Sequence, residues 1–247
     1  MFKVILGSMK DRFDRIFVTG DVHGEVQDLV YSAKCNTVTE NDLIIVLGDC
    51  GFEISSYFEE DGKLSERDIK RQLWTKENIP ATIFCVQGNH EVPFNEMHGN
   101  RIDIFGGSAI ESNGIYFALN GEQYLINDKK FLVLGGAYSV DKFYRLRNGY
   151  PWWEHEQPTS EEREDILKKI KGKSYDYILS HTCPYDYRPV EAFLSGISQS
   201  EIDTSQEEFL QKVHDSVKFK YWYLGHWHIE KQVDKIRFMY QEMEEIK

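Results

Sequence analysis

Five short segments of this chain contain side chains that commonly bind metal ions in proteins. In chain order they are Gly20-Asp21-Val22-His23-Gly24, Gly48-Asp49, Gly88-Asn89-His90-Glu91, Ser180-His181 and Gly225-His226-Trp227-His228. Each segment follows a run rich in β-branched or aromatic residues, which is typical of a buried strand. We therefore expect the candidate ligands to lie at the carboxyl ends of strands.

Two of the segments place a pair of candidate ligands two residues apart. Successive side chains of an extended chain point to opposite sides, so Asp21 and His23 point the same way, as do His226 and His228. Each pair can therefore reach a common cavity. Carboxylate and imidazole ligands suit divalent Mn, Fe or Zn ions, and no cysteine thiolate is needed.

Each segment taken alone also has an ordinary structural explanation. Gly48-Asp49 has the composition of a turn, in which glycine supplies a permissive backbone and aspartate caps the next segment. Asn89 is equally a turn former, His181 a half-buried histidine, and the His-Trp-His segment an aromatic strand end. The conjunction of five such segments in one order favours a metal site over these separate explanations.

The order of the segments resembles the motif series of the calcineurin-like metallophosphoesterase superfamily: Asp-x-His, Gly-Asp, Gly-Asn-His-Glu, a lone His, then Gly-His-x-His. The match runs from about Phe17 to His228. The resemblance implies two divalent ions that share one carboxylate. It assigns to one ion Asp21, His23, Asp49 and His228, and to the other Asp49, Asn89, His181 and His226. His90 is then the catalytic histidine, next to a ligand in sequence but not itself a ligand.

The second motif departs from the protein Ser/Thr phosphatase branch of this superfamily. That branch continues the motif as Gly-Asp-x-x-Asp-Arg, whereas this chain has Gly48-Asp49-Cys50-Gly51-Phe52-Glu53. The phosphate-clamping Arg and the Asp that orients the catalytic histidine are therefore missing. No Arg follows Gly-Asn-His-Glu either. A phosphate clamp must come from elsewhere in the chain, and a phosphoprotein substrate is disfavoured.

The resemblance implies hydrolysis of phosphomonoesters or small phosphodiesters by hydroxide that the two ions make available near neutral pH. His90 would donate a proton to the leaving alkoxide or stabilise its charge. Two other functions stay open: a nuclease acting on nucleic-acid ends with the same ligands, and a non-catalytic, metal-stabilised protein-interaction scaffold. Scaffolds of this superfamily lose ligands or the catalytic histidine, and this chain retains both.

Two segments are placed where they could shape a substrate pocket. Residues 138–155 contain Lys142, Arg145 and Arg147 together with Trp152 and Trp153. This segment is either a substrate lid, in which the three cations bind phosphate, or an ordered surface loop held down by its tryptophans. For residues 184–204 we expect structural packing.

Charge and length limit the partners. The 247 residues carry 29 Lys and Arg against 41 Asp and Glu, a formal net charge of −12. No basic stripe of the size that long nucleic acid requires is present, so a small phosphorylated substrate is favoured. The apolar runs are of strand length, which disfavours a membrane span. The oligomeric state stays open.

The location and the chain start can be judged only from composition. Four cysteines without paired short spacings, and no apolar leader with a cleavage site, indicate a reducing, cytoplasmic setting. Gly7-Ser8-Met9 is compatible with a vector-derived start, in which residues 1–8 are not native, and equally with a native one.

The remaining patterns predict one α/β domain over residues 1–247. We expect strands at 16–20, 43–48 and 82–87 to alternate with helices at 25–33 and 65–77 in a parallel arrangement. Antiparallel hairpins are expected from 115–119, 122–126 and 130–134. Capping boxes predict helices that begin at Thr159, with Glu162, and at Ser205, with Glu208. The last strands are expected at 221–224 and 236–240. The result is a four-layer sandwich of two mixed β-sheets flanked by helices, with the metal site along the rim of strand carboxyl ends.

Overall fold

The computed structural model describes residues 12–54, 64–93, 96–194 and 197–246. The expectations about the chain start, including residues 1–8 and the absence of a leader, lie outside these ranges. Within these ranges no helix is both long and apolar enough to cross a lipid bilayer.

The first sheet has four parallel strands in its centre. Its strands are β1 (Ile16–Thr19), β2 (Leu43–Val46), β3 (Thr82–Cys85), β4 (Asn100–Ile104), β5 (Gly107–Ser112), β6 (Ile115–Ala118) and β13 (Met243–Glu245). They lie in the order β13-β1-β2-β3-β6-β5-β4, in which β1, β2, β3 and β6 are parallel. The other three pair in antiparallel fashion at the edges.

The second sheet repeats this plan. Its strands are β7 (Gln123–Ile126), β8 (Lys129–Leu134), β9 (Ser174–Ser180), β10 (Lys218–Leu224), β11 (Lys231–Val233) and β12 (Ile236–Phe238). They lie in the order β11-β12-β10-β9-β8-β7, and β8, β9, β10 and β12 are parallel. Strands β11 and β7 form the antiparallel edges.

Alternating side chains of the strands separate two kinds of core. In β2, Leu43 and Ile45 face the second sheet, whereas Ile44 and Val46 face the outer helices. Helices α1 (Val26–Cys35) and α2 (Glu66–Asn78) cover that outer face, and α4 (Ser160–Ile170) and α5 (Ser205–Ser216) cover the second sheet. The predicted four-layer sandwich is therefore confirmed. A further short helix, α3 (Lys142–Asn148), buries none of its residues.

The parallel strands bring the candidate ligands together. Strands β1, β2 and β3 are adjacent in one sheet, and β9 and β10 are adjacent in the other. Because parallel neighbours end at the same side of a sheet, the five segments that follow these strands meet at one edge of the sandwich. We call this edge the carboxyl edge.

One predicted hairpin is wrong. Residues 115–119 and 122–126 do not pair, because β6 belongs to the first sheet and β7 to the second. The turn at Asn120-Gly121 carries the chain across the core, and Tyr124 fixes the crossing: its hydroxyl accepts from the Leu119 amide at 2.9 Å and donates to the Ser108 carbonyl at 2.6 Å. Strand alternation cannot tell which sheet a strand joins. The hairpin of β7 with β8 is confirmed.

The capping boxes had different outcomes. Thr159 and Glu162 form the predicted reciprocal bonds at the start of α4. At α5 the cap is Thr204 rather than Ser205, and no side-chain cap bond forms. Ser205 is the first helical residue, and its amide donates to the Asp203 carboxylate at 2.9 Å.

Candidate metal centre

Four candidate ligands have a left-handed backbone conformation that residues with side chains rarely adopt. The φ angle is 49° at His23, 45° at Asp49, 70° at His226 and 50° at His228. Such a conformation costs about 1–3 kcal/mol for each residue, and a cluster of such residues in one place is typical of a functional site. Each strand thus turns sharply where it ends, and this turn directs the side chain along the carboxyl edge.

The ligand loops approach one another closely because glycines lie between them. A Cβ atom at Gly88 would lie 2.0 Å from Asp49 Oδ1, and one at Gly225 would lie 2.3 Å from Asp21 Oδ1. Any larger residue would displace a carboxylate. Gly88 and Gly225 are therefore part of the site.

Asp21 is the centre of one group of ligands. Its Oδ2 atom lies 3.1 Å from His228 Nε2 and 3.6 Å from His23 Nε2, and these two nitrogens are 2.9 Å apart. Its other oxygen accepts from the backbone amide of His226 at 2.7 Å. The carboxylate is buried, yet its neighbouring imidazoles hold the pKa of Asp21 below its usual range.

Asp49 is the centre of the whole arrangement. Its Oδ2 atom lies 3.5 Å from His181 Nε2, 3.7 Å from His90 Nε2 and 3.8 Å from His23 Nδ1. Burial raises the pKa of this carboxyl, but His90 and His181 outweigh burial and hold it well below its usual range. Asp49 is therefore an ionised carboxylate that faces ligands from both sheets.

His181 and Asn89 form a second group next to Asp49. The Nδ1 atom of His181 donates to the Leu47 carbonyl at 2.7 Å, which leaves Nε2 with its lone pair 3.0 Å from Asn89 Oδ1. Asn89 in turn donates through Nδ2 to Ser139 Oγ at 2.9 Å, which directs its oxygen at His181. The His226 ring lies beside that of His181, with centroids 5.0 Å apart.

These groups fit divalent cations. The lone pairs of His181 Nε2, Asn89 Oδ1 and Asp49 Oδ2 converge, and only a cation between them satisfies all three. Without a metal ion a proton takes this role: burial lowers the pKa of His181, but Asp49 and Asp21 raise it to about 10. Burial and the His181 charge lower the pKa of His226 to about 3, so its ring stays neutral and able to bind a metal.

Glu91 ties the loops of the site together. Its carboxylate accepts from the backbone amides of Gly88 at 2.6 Å, Asp49 at 3.0 Å and Gly51 at 3.0 Å. It also accepts from the Cys50 thiol at 3.3 Å. Burial and the charge of Asp49 raise the pKa of Glu91 to about 7. One side chain thus joins the loops after β2 and β3.

His90 lies at the side of this cluster, next to Arg145. Its amide donates to Asp49 Oδ1 at 2.9 Å, and its ring contacts the Arg145 guanidinium. Arg145 is held by two further bonds, to Asp141 Oδ2 at 2.9 Å and to the Pro151 carbonyl at 2.6 Å. The pKa of His90 is lowered overall. Burial lowers it most and the Arg145 charge lowers it further, whereas the Asp49 charge raises it and opposes them only in part.

The other two cations of the 138–155 segment do not contact this cluster. The Lys142 ammonium lies 3.9 Å from the centroid of the Trp152 ring, and Arg147 is exposed on α3. Arg145 is thus the cation of this segment that contacts His90, whereas Lys142 packs on a tryptophan.

The expectation for residues 184–204 was too narrow. Besides packing on the second sheet, this segment lines a cleft of about 500 Å³ whose floor consists of metal-ligand candidates and His90. Sequence inspection also missed Ser139 as the partner of Asn89. Ser139 follows β8, another parallel strand of the second sheet, so the rule that strand carboxyl ends share one edge could have indicated it.

Similarity to known proteins is found at the levels of family, sequence and structure. A family model described as calcineurin-like phosphoesterase matches residues 14–230. Serine/threonine-protein phosphatase T of Trypanosoma brucei brucei (strain 927/4 GUTat10.1) is 32% identical over 139 residues, 52% of this chain. Those residues span only 27% of that protein. The crystal structure of TT1561 of Thermus thermophilus is 16% identical, covering 94% of this chain and 97% of that one. The TM-score between the two structures is 0.44.

Ser139 provides a test of how the Asn89 ligand is oriented. Ser139→Ala removes the acceptor of the Asn89 amide, so the affinity for one metal ion should fall about 10–100-fold, as for other residues that orient ligands. Chelator competition measures this, with exposed Ser198→Ala as the matched control. Equal metal affinity of both variants and the parent would contradict the role of Ser139.

Proposed function

Because the chain belongs to the calcineurin-like phosphoesterase family, we propose that it hydrolyses phosphate esters with two divalent metal ions at its carboxyl edge. The observation that carries this proposal is the position of Asp49. Its Oδ2 atom lies within 3.8 Å of imidazole nitrogens from three different loops. A carboxylate in this position can serve two ions at once.

The proposed ligands divide into two sets. One set is Asp21, His23, Asp49 and His228; the other is Asp49, Asn89, His181 and His226. Among the residues that the structure describes, three groups of side chains could each hold an ion: Asp21 with His23 and His228, His23 with Asp49 and His90, and Asp21 with Asp49 and His181. The chemistry of these ligands supports Mn, Fe or Zn. When bound, such ions polarise phosphoryl oxygens and lower the pKa of water.

His90 acts at the leaving oxygen of the ester. The Arg145 guanidinium approaches both ring nitrogens of His90, and Nε2 also lies 3.7 Å from Asp49 Oδ2. The ring therefore lies beside the place where the phosphoryl group is proposed to bind. From there His90 can donate a hydrogen bond, or a proton, to the departing alkoxide.

Arg145 supplies the phosphate clamp that the second motif lacks. Its guanidinium is anchored by Asp141 and the Pro151 carbonyl, and it lies against His90. A planar guanidinium in this position can bind two oxygens of a phosphoryl group. Because it is already anchored, it loses little conformational freedom when substrate binds. Lys142 packs on Trp152 and Arg147 is exposed, so neither position favours these residues as the phosphate clamp.

The size and charge of the molecule favour a small substrate. The cleft of about 500 Å³ is the volume of a small-molecule site, and the net charge of −12 disfavours long nucleic acid. Three buried free thiols, Cys50, Cys85 and Cys183, support a cytoplasmic location. A panel of phosphomonoesters, phosphodiesters, phosphopeptides and single-stranded DNA separates the small-ester proposal from a nuclease. Absence of turnover on every substrate with metals bound would favour the scaffold.

Arg145 and Arg147 form a matched pair on the same short helix. Arg145→Ala should lower kcat/KM by about tenfold to a hundredfold, the effect of losing one charge-assisted hydrogen bond of ~1.5–3 kcal/mol. Arg147→Ala should leave kcat/KM unchanged because Arg147 is exposed. Steady-state kinetics on the preferred ester measures both. Equal values for the two variants would exclude Arg145 as the clamp.

His90 can be separated from metal binding by the leaving group. His90→Asn should lower the rate on an alkyl phosphate ester by about 10²–10⁴, with both metals retained. The loss should be smaller on bis(p-nitrophenyl) phosphate, because nitrophenolate departs without a proton. Rates and metal content are measured on the same samples. An equal loss on both esters would remove the role at the leaving oxygen, and lost metal would make His90 a ligand.

A further inference from the structure

The cleft over the metal centre has one wall that phosphate chemistry does not require. Its floor holds candidate ligands of both ions together with His90. Its apolar wall is formed by Phe193, Leu194, Ile197, Ile202, Trp227 and Ile229. A phosphoryl group gains nothing from such side chains. The wall is therefore suited to the organic part of the ester, which must lie beside the phosphoryl group when that group is at the floor.

Two aromatic rings give the wall a defined shape. The Phe193 and Trp227 rings lie with centroids 5.9 Å apart and an angle of 31° between their planes. Trp227 lies between two candidate ligands in sequence, so the wall adjoins the metal centre directly. Aromatic faces so placed favour a flat, aromatic group over a short alkyl chain.

Glu207 is the polar feature of this cleft that the proposed hydrolysis leaves unexplained. It lines the cleft, and its side chain is only 4% exposed. Its Oε1 atom accepts from the Thr182 hydroxyl at 2.8 Å. Its Oε2 atom has no hydrogen-bond partner among the residues that the structure describes. A buried carboxylate oxygen without a partner is costly, and a bound donor would remove that cost.

The orientation of Glu207 is fixed from the metal centre. Trp227 donates a hydrogen bond through Nε1 to Thr182 Oγ1 at 3.2 Å, and the Thr182 hydroxyl donates a hydrogen bond to Glu207 Oε1. This chain of bonds commits one oxygen of Glu207 and leaves the other without a partner in the described part of the chain. Burial raises the pKa of Glu207, whereas the Thr182 hydrogen bond and the charge of Arg188, which also lines the cleft, lower it. In its ionised form the carboxylate only accepts hydrogen bonds, so a ligand that this form binds supplies an N–H or O–H group.

The two other cavities that border the site are less suited to the organic group. One, of about 350 Å³, is lined by Glu25 and Asp28 beside Asp21 and His23. The other contains Arg67 and Arg145 beside His90. Neither combines an apolar wall with candidate ligands of both ions.

We propose that this cleft, which we call the alcohol pocket, selects phosphate esters whose alcohol is an aromatic group bearing an N–H or O–H donor for Glu207. The proposal rests on the proposed phosphoesterase function and specifies its substrate class. A site built to bind a donor rejects an analogue without it, because the buried acceptor is then left unpaired.

Two matched pairs of alkyl esters test the donor. The first is 2-(indol-3-yl)ethyl phosphate and its N-methyl analogue, and the second is 2-(4-hydroxyphenyl)ethyl phosphate and its methyl ether. Within each pair the leaving alcohol is insulated from the donor, so the chemical step is equal. The parent enzyme should prefer the donor-bearing ester in at least one pair by about tenfold or more in kcat/KM. Glu207→Leu should abolish that preference, whereas Glu164→Leu, an exposed change on α4, should retain it.

Two further variants guard against a misfolded Glu207→Leu protein. Glu207→Gln keeps the shape and an acceptor for Thr182 but turns an NH₂ group toward the ligand, so the preference should also disappear. Phe193→Ala should reduce the preference for the aromatic esters over ethyl phosphate, whereas Val190→Ala, 71% exposed in the same segment, should not. No preference within either pair in the parent, or its persistence in Glu207→Gln, would overturn the proposal.

Binding measurements keep this result separate from the proposed function. Ligand-observed NMR can follow the two alcohols, with and without the donor methylated, on protein that is not turning over substrate. Selective, Glu207-dependent binding of a donor alcohol without hydrolysis of any ester would contradict the phosphoesterase function alone. Hydrolysis of ethyl phosphate without any such selectivity would contradict the alcohol pocket alone.

Discussion

The Asp49 carboxylate is 1% exposed and surrounded by imidazole rings, and an ionised carboxylate in that position requires cations beside it. Its backbone has a φ of 45°, a conformation that is uncommon for residues with side chains and that the surrounding loops hold in place. Here those surroundings are Glu91, which accepts from the Asp49 amide, and Gly88, whose missing side chain makes room for the carboxylate. The proposed metal binding at this point would account for both the strain and the buried charge.

The sandwich fold provides that surrounding structure. Two sheets with four parallel strands each place their carboxyl edges against one another, and the core between them fixes their separation. Proposed ligands from one sheet, such as Asp49, then face proposed ligands from the other, such as His181, at 3.5 Å. Neither sheet alone contains the complete proposed set. Beside it lie other groups, including Arg145 against His90 and Glu207 in the proposed alcohol pocket.

Sequence patterns predicted the parts of this structure that obey short-range rules. The apolar run from Leu43 to Val46 and the candidate ligands after such runs indicated buried parallel strands with ligands at their ends, and the resemblance ordered those ligands. The patterns failed where contacts are distant in sequence. Which sheet residues 115–118 join depends on pairing with β3, and the contact of Arg145 with His90 spans 55 residues.

Metal stoichiometry tests the central claim most directly, that two ions share Asp49. After reconstitution with Mn or Zn, elemental analysis should find about two ions per chain. Asp49→Ala should lower the occupancy of both positions, whereas His23→Ala should weaken chiefly one. One ion or fewer in an active enzyme, or the same loss in both variants, would contradict the shared carboxylate.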